Sequence, residues 1–476
     1  MSVENRQHQV LEHLASISTD TRIPFRSQLT KHTALLLLKN DTASSWFSDS
    51  THHILGEWEG LLLTGVYYAL QNRPTFQPAE KDVRNFLLTG LLPWWRENYE
   101  IPNGLGSENH VLVKLTVRYL LEQLAGETPP SEVREQIILW CREKALRGHT
   151  EYFSPHYTER AIIPLLELYD YAQDDTLHTY VHMALDQYMA EHALIHINGF
   201  RGGAMRRYYQ WHEDFPHQEL NNAAYDCNLP LAQILFDNIS TLPLAPYKSS
   251  DHHIGFIFYA TTSYRVSASI QRLSDPQVRG TFAWRSGLRW NHDRDLDLQR
   301  PNAFFYGWIT PHYVLSSIRC PQDQRWGYVS RRFEHGTNRG LPWRLSLPDP
   351  RTMLASKRKG PVEPENGMCD PEDTRTLFQH RNTVIYVGKS DTLKNMNPPI
   401  PENEGFLKEE MDGEYGFLFS PGSNGEMVYA GVYETNGLGV LEVKLKSEIE
   451  SFDTFKSSFK AAPKTLLSPE DIDLQT

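Results

Sequence analysis

Three short clusters between Gly104 and Trp211 carry the side chains best suited to chemistry. They are Gly106-Ser107-Glu108-Asn109-His110, Glu151-Tyr152-Phe153-Ser154-Pro155-His156-Tyr157 and Arg206-Arg207-Tyr208-Tyr209-Gln210-Trp211. Each falls where a helical pattern starts or stops, which gathers amide, imidazole, phenol and guanidinium groups at helix ends. Removing a proton of high pKa and holding the anion that results calls for those group types together.

The Asn109 amide, helped by His110, can bind and partly neutralise a substrate carboxylate, which lowers the pKa of the adjacent C–H. His156 can act as a base near neutral pH without a large shift. Tyr208, the preferred phenol, or Tyr157 close behind it can do so only when a nearby cation draws its pKa down from about 10. Arg206 offers that cation, and its planar fork suits a carboxylate. Glu108, Glu151, Arg207 and Trp211 complete the substrate-binding set on this stretch. The reaction that fits is β-elimination: a carboxylate is neutralised, a base takes the α-proton, and an acid protonates the leaving oxygen. No metal or organic cofactor is required.

Plainer roles compete at each position. Asn is a leading cap residue, His156 and Tyr157 can cap or pack, and residues 206–209 can form a solvated loop on aromatic anchors. Glu108 and Glu151 also suggest glycoside hydrolysis, where the carboxyl separation decides the outcome. His192 and His196 have the i, i+4 spacing of two metal ligands. They lack the H-E-x-x-H pattern, and such pairs are frequent among 20 His, so packing explains them better. No G-x-S-x-G, P-loop or G-x-G-x-x-G occurs, which argues against nucleotide chemistry.

The elements that would position these groups are helical up to about residue 237. Leu55–Leu70, Val83–Trp95, Asn109–Leu124, Ser131–Leu146, Tyr157–Ala172, Leu177–Ile195 and Asn222–Phe236 have helical periodicity with short breaks, implying antiparallel neighbours. No fixed repeat recurs. Composition shifts at 238–252, and beyond it Tyr264–Ile270 alternates as a half-buried strand would. Met427–Tyr433 and Gly439–Leu445 flank Asn436-Gly437, a hairpin signal. Residues 349–376 read as a long surface loop. The expected arrangement is α+β, with a helical domain over 1–245, an antiparallel β domain over 246–460 and a tail over 461–476.

A chain of 476 residues is long enough for two cores. Its net charge of -12 argues against non-specific nucleic-acid binding. The 4 cysteines are far apart and give neither a zinc ribbon nor a disulfide framework. The polar start is not a signal peptide, and no apolar run is long enough to span a membrane, so a cytoplasmic location is expected unless an export signal has been removed.

Helices followed by antiparallel strands resemble the polysaccharide lyases built as an incomplete (α/α) toroid joined to β-sheets, among them heparinase II/III-like and alginate-lyase-like enzymes. Ser107–His110, Tyr152–Tyr157 and Gly307-Trp308-Ile309-Thr310-Pro311-His312-Tyr313-Val314-Leu315 look like the equivalent motifs of such proteins. The resemblance implies a toroid, a β-sandwich and elimination on an acidic saccharide or another small carboxylate. Since interdomain clefts are common ligand sites, the site is expected in the cleft between helix ends, roofed by β-domain aromatics such as Trp308, Tyr313 or Trp326.

Overall fold

A computed structural model describes residues 1–16, 25–40, 43–50, 56–98, 108–148, 153–154, 157–209, 229–239, 255–288, 303–319, 338–341, 343–348, 353–355, 377–387, 408–412, 414–435 and 438–462. The chain is mixed helix and antiparallel sheet, as expected. Its first part contains α1 (Val3–Ala15), α2 (Phe25–Leu37), α3 (Ser44–Ser50), α4 (Glu57–Leu70), α5 (Gln77–Asn85), α6 (Leu92–Asn98), α7 (Glu108–Leu124), α8 (Ser131–Arg147), α9 (Tyr157–Tyr171) and α10 (Asp175–Ile195). Short strands β1 (His196–Ile197), β2 (Phe200–Arg201) and β3 (Met205–Tyr209) follow, then α11 (Leu229–Leu235), α12 (Phe256–Thr261), α13 (Ala268–Leu273) and α14 (Pro276–Arg279).

Two kinds of helix are distinguishable by burial. In α4 and α9 most residues are buried, including Gly60–Tyr67 and Thr158–Leu168. A helix apolar on all sides belongs to an inner layer. In α5 only Ala79 and Val83 are buried, which marks an outer helix.

The inner helices run the same way. Arg26 near the start of α2 pairs with Glu59 near the start of α4, while Thr75, just past α4, donates to the Leu36 carbonyl near the end of α2. His110 meets Glu57 at the starts of α7 and α4, and Tyr68 donates to the Leu120 carbonyl at their ends. Gln123 donates to the Tyr171 carbonyl, joining the ends of α7 and α9. The Gly255 amide donates to Glu159 beside the starts of α12 and α9, and Ser263 donates to Asp170 at their ends. The packing order is α2, α4, α7, α9, α12, and α12 packs back on α2. α8 and α10 lie outside α7 and α9, and α1 lies outside α12 and α2.

Residues 264–270 are not a strand. Ser267 accepts the Ile270 amide and caps α13, and Tyr264 points inward with its hydroxyl on Asp186 at 2.7 Å. Alternation alone misled here, because a local cap outcompeted a strand with no partner. The last helix before the sheets ends at Arg279, and the first long strand begins at Phe282.

The strands are β4 (Phe282–Leu288), β5 (Ala303–Ile309), β6 (Val314–Arg319), β7 (Asn338–Leu341), β8 (Trp343–Ser346), β9 (Met353–Ala355), β10 (Leu377–His380), β11 (Thr383–Val387), β12 (Lys408–Asp412), β13 (Tyr415–Pro421), β14 (Met427–Glu434) and β15 (Leu438–Leu445). Apart from β7, which pairs with β3, they form an inner sheet in the order β4-β5-β6-β8-β9 and an outer sheet in the order β10-β11-β15-β14-β13-β12. The stretch 349–376, expected as a loop throughout, supplies β9 to the inner sheet through pairs such as Leu345 with Leu354. β14 and β15 are the hairpin that Asn436-Gly437 signalled. Leu315, Trp343 and Leu345 of the inner sheet share one core with Val384, Leu418 and Val432 of the outer sheet. The far face of the outer sheet is closed by α15 (Phe452–Ala461), whose Phe455 and Phe459 pack on Phe417 and Tyr429.

The remaining face of the inner sheet meets the helices. Phe153, just before α9, packs its ring on Trp284 and Phe305 at 5.9 and 5.8 Å. Gly203 and Ala204 donate their amides to Ser346 and Ser316 of that face at 3.0 and 2.6 Å. His196–Arg201 form a tight hairpin, continued by the buried Gly202 and Gly203. Asn198 and Gly199 have φ of 51° and 88°, the left-handed pair that closes a two-residue β-turn. The first turns of the parallel inner helices therefore lie at the sheet-facing end of the helical layer.

Candidate active site

Glu57 and Trp58 open α4, Asn109 and His110 open α7, and Tyr157, Glu159 and Arg160 open α9. Because these helices are adjacent and parallel, their first turns come together. The His110 Nδ1 contacts Glu57 Oε1, and Lys114, one turn further along α7, places Nζ 3.8 Å from Glu57 Oε2. The His110 ring meets the Trp58 indole edge-on at 5.8 Å, and the Arg160 guanidinium lies 4.6 Å over that indole from the other helix. Aromatic and cationic groups in such contact hold each other in place.

Burial gives this cluster its electrostatic character. Asn109, Glu159 and Arg160 are buried, whereas His110 retains 40% of its side-chain exposure. Glu159 accepts the Gly255 amide at 3.1 Å, which ties the start of α12 to the site. Burial pushes the Lys114 ammonium below its ordinary pKa. Deeper along α9, Glu167 is fully enclosed against Gly65 and Phe258, and burial together with Asp170 pushes its carboxyl well above the usual range.

The start of α9 is fixed from the sheet side. Ser154 accepts the Tyr157 amide at 3.2 Å and caps the helix. Arg201, buried on β2, donates to Thr158 Oγ1 at 2.9 Å and to the Ser154 carbonyl at 3.2 Å. Phe153 has φ 47°, rare for a bulky residue, and is held there by the Trp284 and Phe305 rings. Tyr157 is consequently a half-buried phenol on a firmly anchored turn.

Asn109, His110 and Tyr157 thus share one end of neighbouring helices. Asn109 is the second residue of its helix and is buried. Glu108 begins α7, while its side chain, and all of Glu151, His156 and Trp211, lie outside the described residues. Arg206, Arg207 and Tyr208 sit on β3, paired with β7 through Tyr208 and Arg339, with side chains outside the described set. Residues 206–209 are therefore strand rather than solvated loop.

Trp308 and Tyr313 stand elsewhere than on the roof. Register puts Trp308 opposite Leu315, on the face turned to the outer sheet, where Arg381 lies 5.8 Å from its ring. Tyr313 ends the tight turn after β5, enclosed in the sandwich core, which pushes its phenol up. The inner-sheet rings that face the start of α9 are Trp284 and Phe305. Alternation along β5 holds the clue, since Trp308 is an odd step from Phe305. Trp326 lies outside the described residues.

His192 and His196 are a packing pair. Their rings stack at 5.6 Å, and their Nε2 atoms meet the Gly199 and Ser274 carbonyls. Burial and the neighbouring Arg279 and His192 hold His196 well below the ordinary imidazole range. Among the described residues no group of three His, Cys, Asp or Glu side chains is arranged to hold a metal, and no helix is long and apolar enough to cross a membrane.

Glu57, Trp58, Lys114, Glu159 and Arg160 are members of the cluster that motif reading passed over. One sign of them was visible: Glu159-Arg160 and Glu167 are charged residues inside an otherwise apolar helix. Comparison with protein-family models, with curated proteins and with solved structures found no match.

Proposed function

We propose that the chain is a lyase acting on a carboxylate-bearing saccharide, with its site at the helix starts beneath the inner sheet. The observation that carries this is the contact of His110 with Glu57 and Trp58, and of Trp58 with Arg160, on the first turns of adjacent parallel helices that also carry Asn109 and Tyr157. The cyclic packing order of α2, α4, α7, α9 and α12, with antiparallel helices outside it, supports an (α/α) toroid-like helical domain. The shared core of the two sheets supports a β-sandwich beside it.

In this mechanism Asn109 and Arg160 neutralise the substrate carboxylate, which makes the adjacent C–H acidic. Glu57 holds His110 Nδ1, which leaves Nε2 to take the proton. The C–H electron pair becomes the new double bond as the bond to the leaving oxygen breaks. Tyr157 donates its proton to that oxygen and is reprotonated from solvent. Trp58 and Trp284 offer flat faces for a sugar ring.

The test is a panel of uronate-containing glycans and small carboxylates with product analysis. Elimination yields an unsaturated product that absorbs in the ultraviolet. Reducing ends without that absorbance would mean hydrolysis by carboxylates instead, and ligand-dependent thermal stabilisation without product would mean a binding protein.

A further inference from the structure

Glu57 meets two basic side chains with its two oxygens. Oε1 meets His110 Nδ1, and Oε2 lies 3.8 Å from Lys114 Nζ. An imidazole held by a carboxylate alone is biased toward its protonated form, in which it cannot accept a proton. A second cation on the same carboxylate counteracts that bias.

We propose that Lys114 is a positioning residue that keeps His110 in its proton-accepting form by sharing Glu57. The inference rests on the role given to His110 above, and it assigns the control of that role to a residue one helical turn away. His110 and Lys114 are at i and i+4 on α7, so both reach the same carboxylate on α4 without any backbone change. The Lys114 side chain is 24% exposed and that of Glu57 15%, so solvent screens the trio only partly.

The elements packed around α7 bring further charges: Glu59 on α4, Glu159 and Arg160 on α9, Glu143 and Lys144 in the last turn of α8, and Arg96 and Glu97 on α6. Glu59 is paired with Arg26, Arg96 with Glu122, and Arg160 stacks on Trp58. Glu57 is the carboxylate that bridges the pair on α7, meeting the His110 ring with one oxygen and Lys114 with the other.

The experiment needs no substrate. Diethyl pyrocarbonate modifies neutral imidazole, and peptide mass spectrometry follows the rate at His110 from acid to alkaline pH, with the exposed His8 as an internal control. Lys114→Met is expected to raise the His110 midpoint by about one pH unit. Lys114→Arg should restore the native midpoint, and Glu57→Gln should drop it below native. His8 should titrate alike in all four proteins. A His110 midpoint unmoved by Lys114→Met, or moved equally by Lys114→Arg, overturns the proposal. Since no turnover is read, failure of the lyase assignment would leave this titration unaffected, and an unmoved midpoint in a protein that eliminates uronates would remove Lys114 alone.

Discussion

Glu167→Gln isolates the consequence of enclosing an acid among parallel helices. The Glu167 side chain is 0% exposed, and among the described residues neither of its oxygens has a hydrogen-bond partner. Its carboxyl is held well above the ordinary 4.5 by burial and by Asp170. A folded-state pKa above the unfolded one means that the native protein binds the extra proton. Stability from that proton is therefore full below the unfolded value and is lost as pH rises toward the folded value. Within that window the loss is at most about 1.4 kcal/mol per pH unit. Gln cannot titrate, so the variant lacks this slope. Asp170 titrates in both proteins and largely cancels in the difference. For a helical unit of this size the slope amounts to about 3–5 °C of Tm per pH unit. Differential scanning fluorimetry from about pH 5 to about pH 8 should show the variant gaining on the native protein as pH rises. A constant offset would reflect only the change in packing. Parallel Tm curves across that range would refute the enclosure of an ionisable Glu167.

Gly203→Ala should destabilise the protein by about 1–3 kcal/mol, because its φ of 88° and the Ser316 hydroxyl leave no place for a methyl group; chemical denaturation measures this. Arg201→Ala should cost about 2–4 kcal/mol by removing two buried bonds to Thr158 and Ser154 and loosening the start of α9. Hydrogen exchange should then quicken at residues 157–160 before it does so in α7.

The helices were legible because their apolar spacing is unambiguous, and α7, α8 and α10 begin and end within about two residues of their expected limits. The β14–β15 hairpin was legible through Asn436-Gly437. The same dipeptide at Asn198-Gly199 went unread because no alternating runs flank it, and the tight fit of Gly202 against Val314 and Ser346 exists only after folding. For the site, Asn109, His110 and Tyr157 carried recognisable motifs at helix starts. Glu57, Lys114 and Arg160 did not, since their relation depends on which helices become neighbours. Trp308 was misleading because an aromatic on a strand gives no indication of which sheet face meets the helices until the register is known.

The proposed elimination is tested most directly by the rate of ultraviolet-absorbing product from acidic glycans with the native protein, compared with Tyr157→Phe and His110→Ala. Each variant is expected to keep its native melting temperature and lose about 100-fold or more in kcat. Native rates in both variants would contradict the placement of the reaction at the starts of α7 and α9.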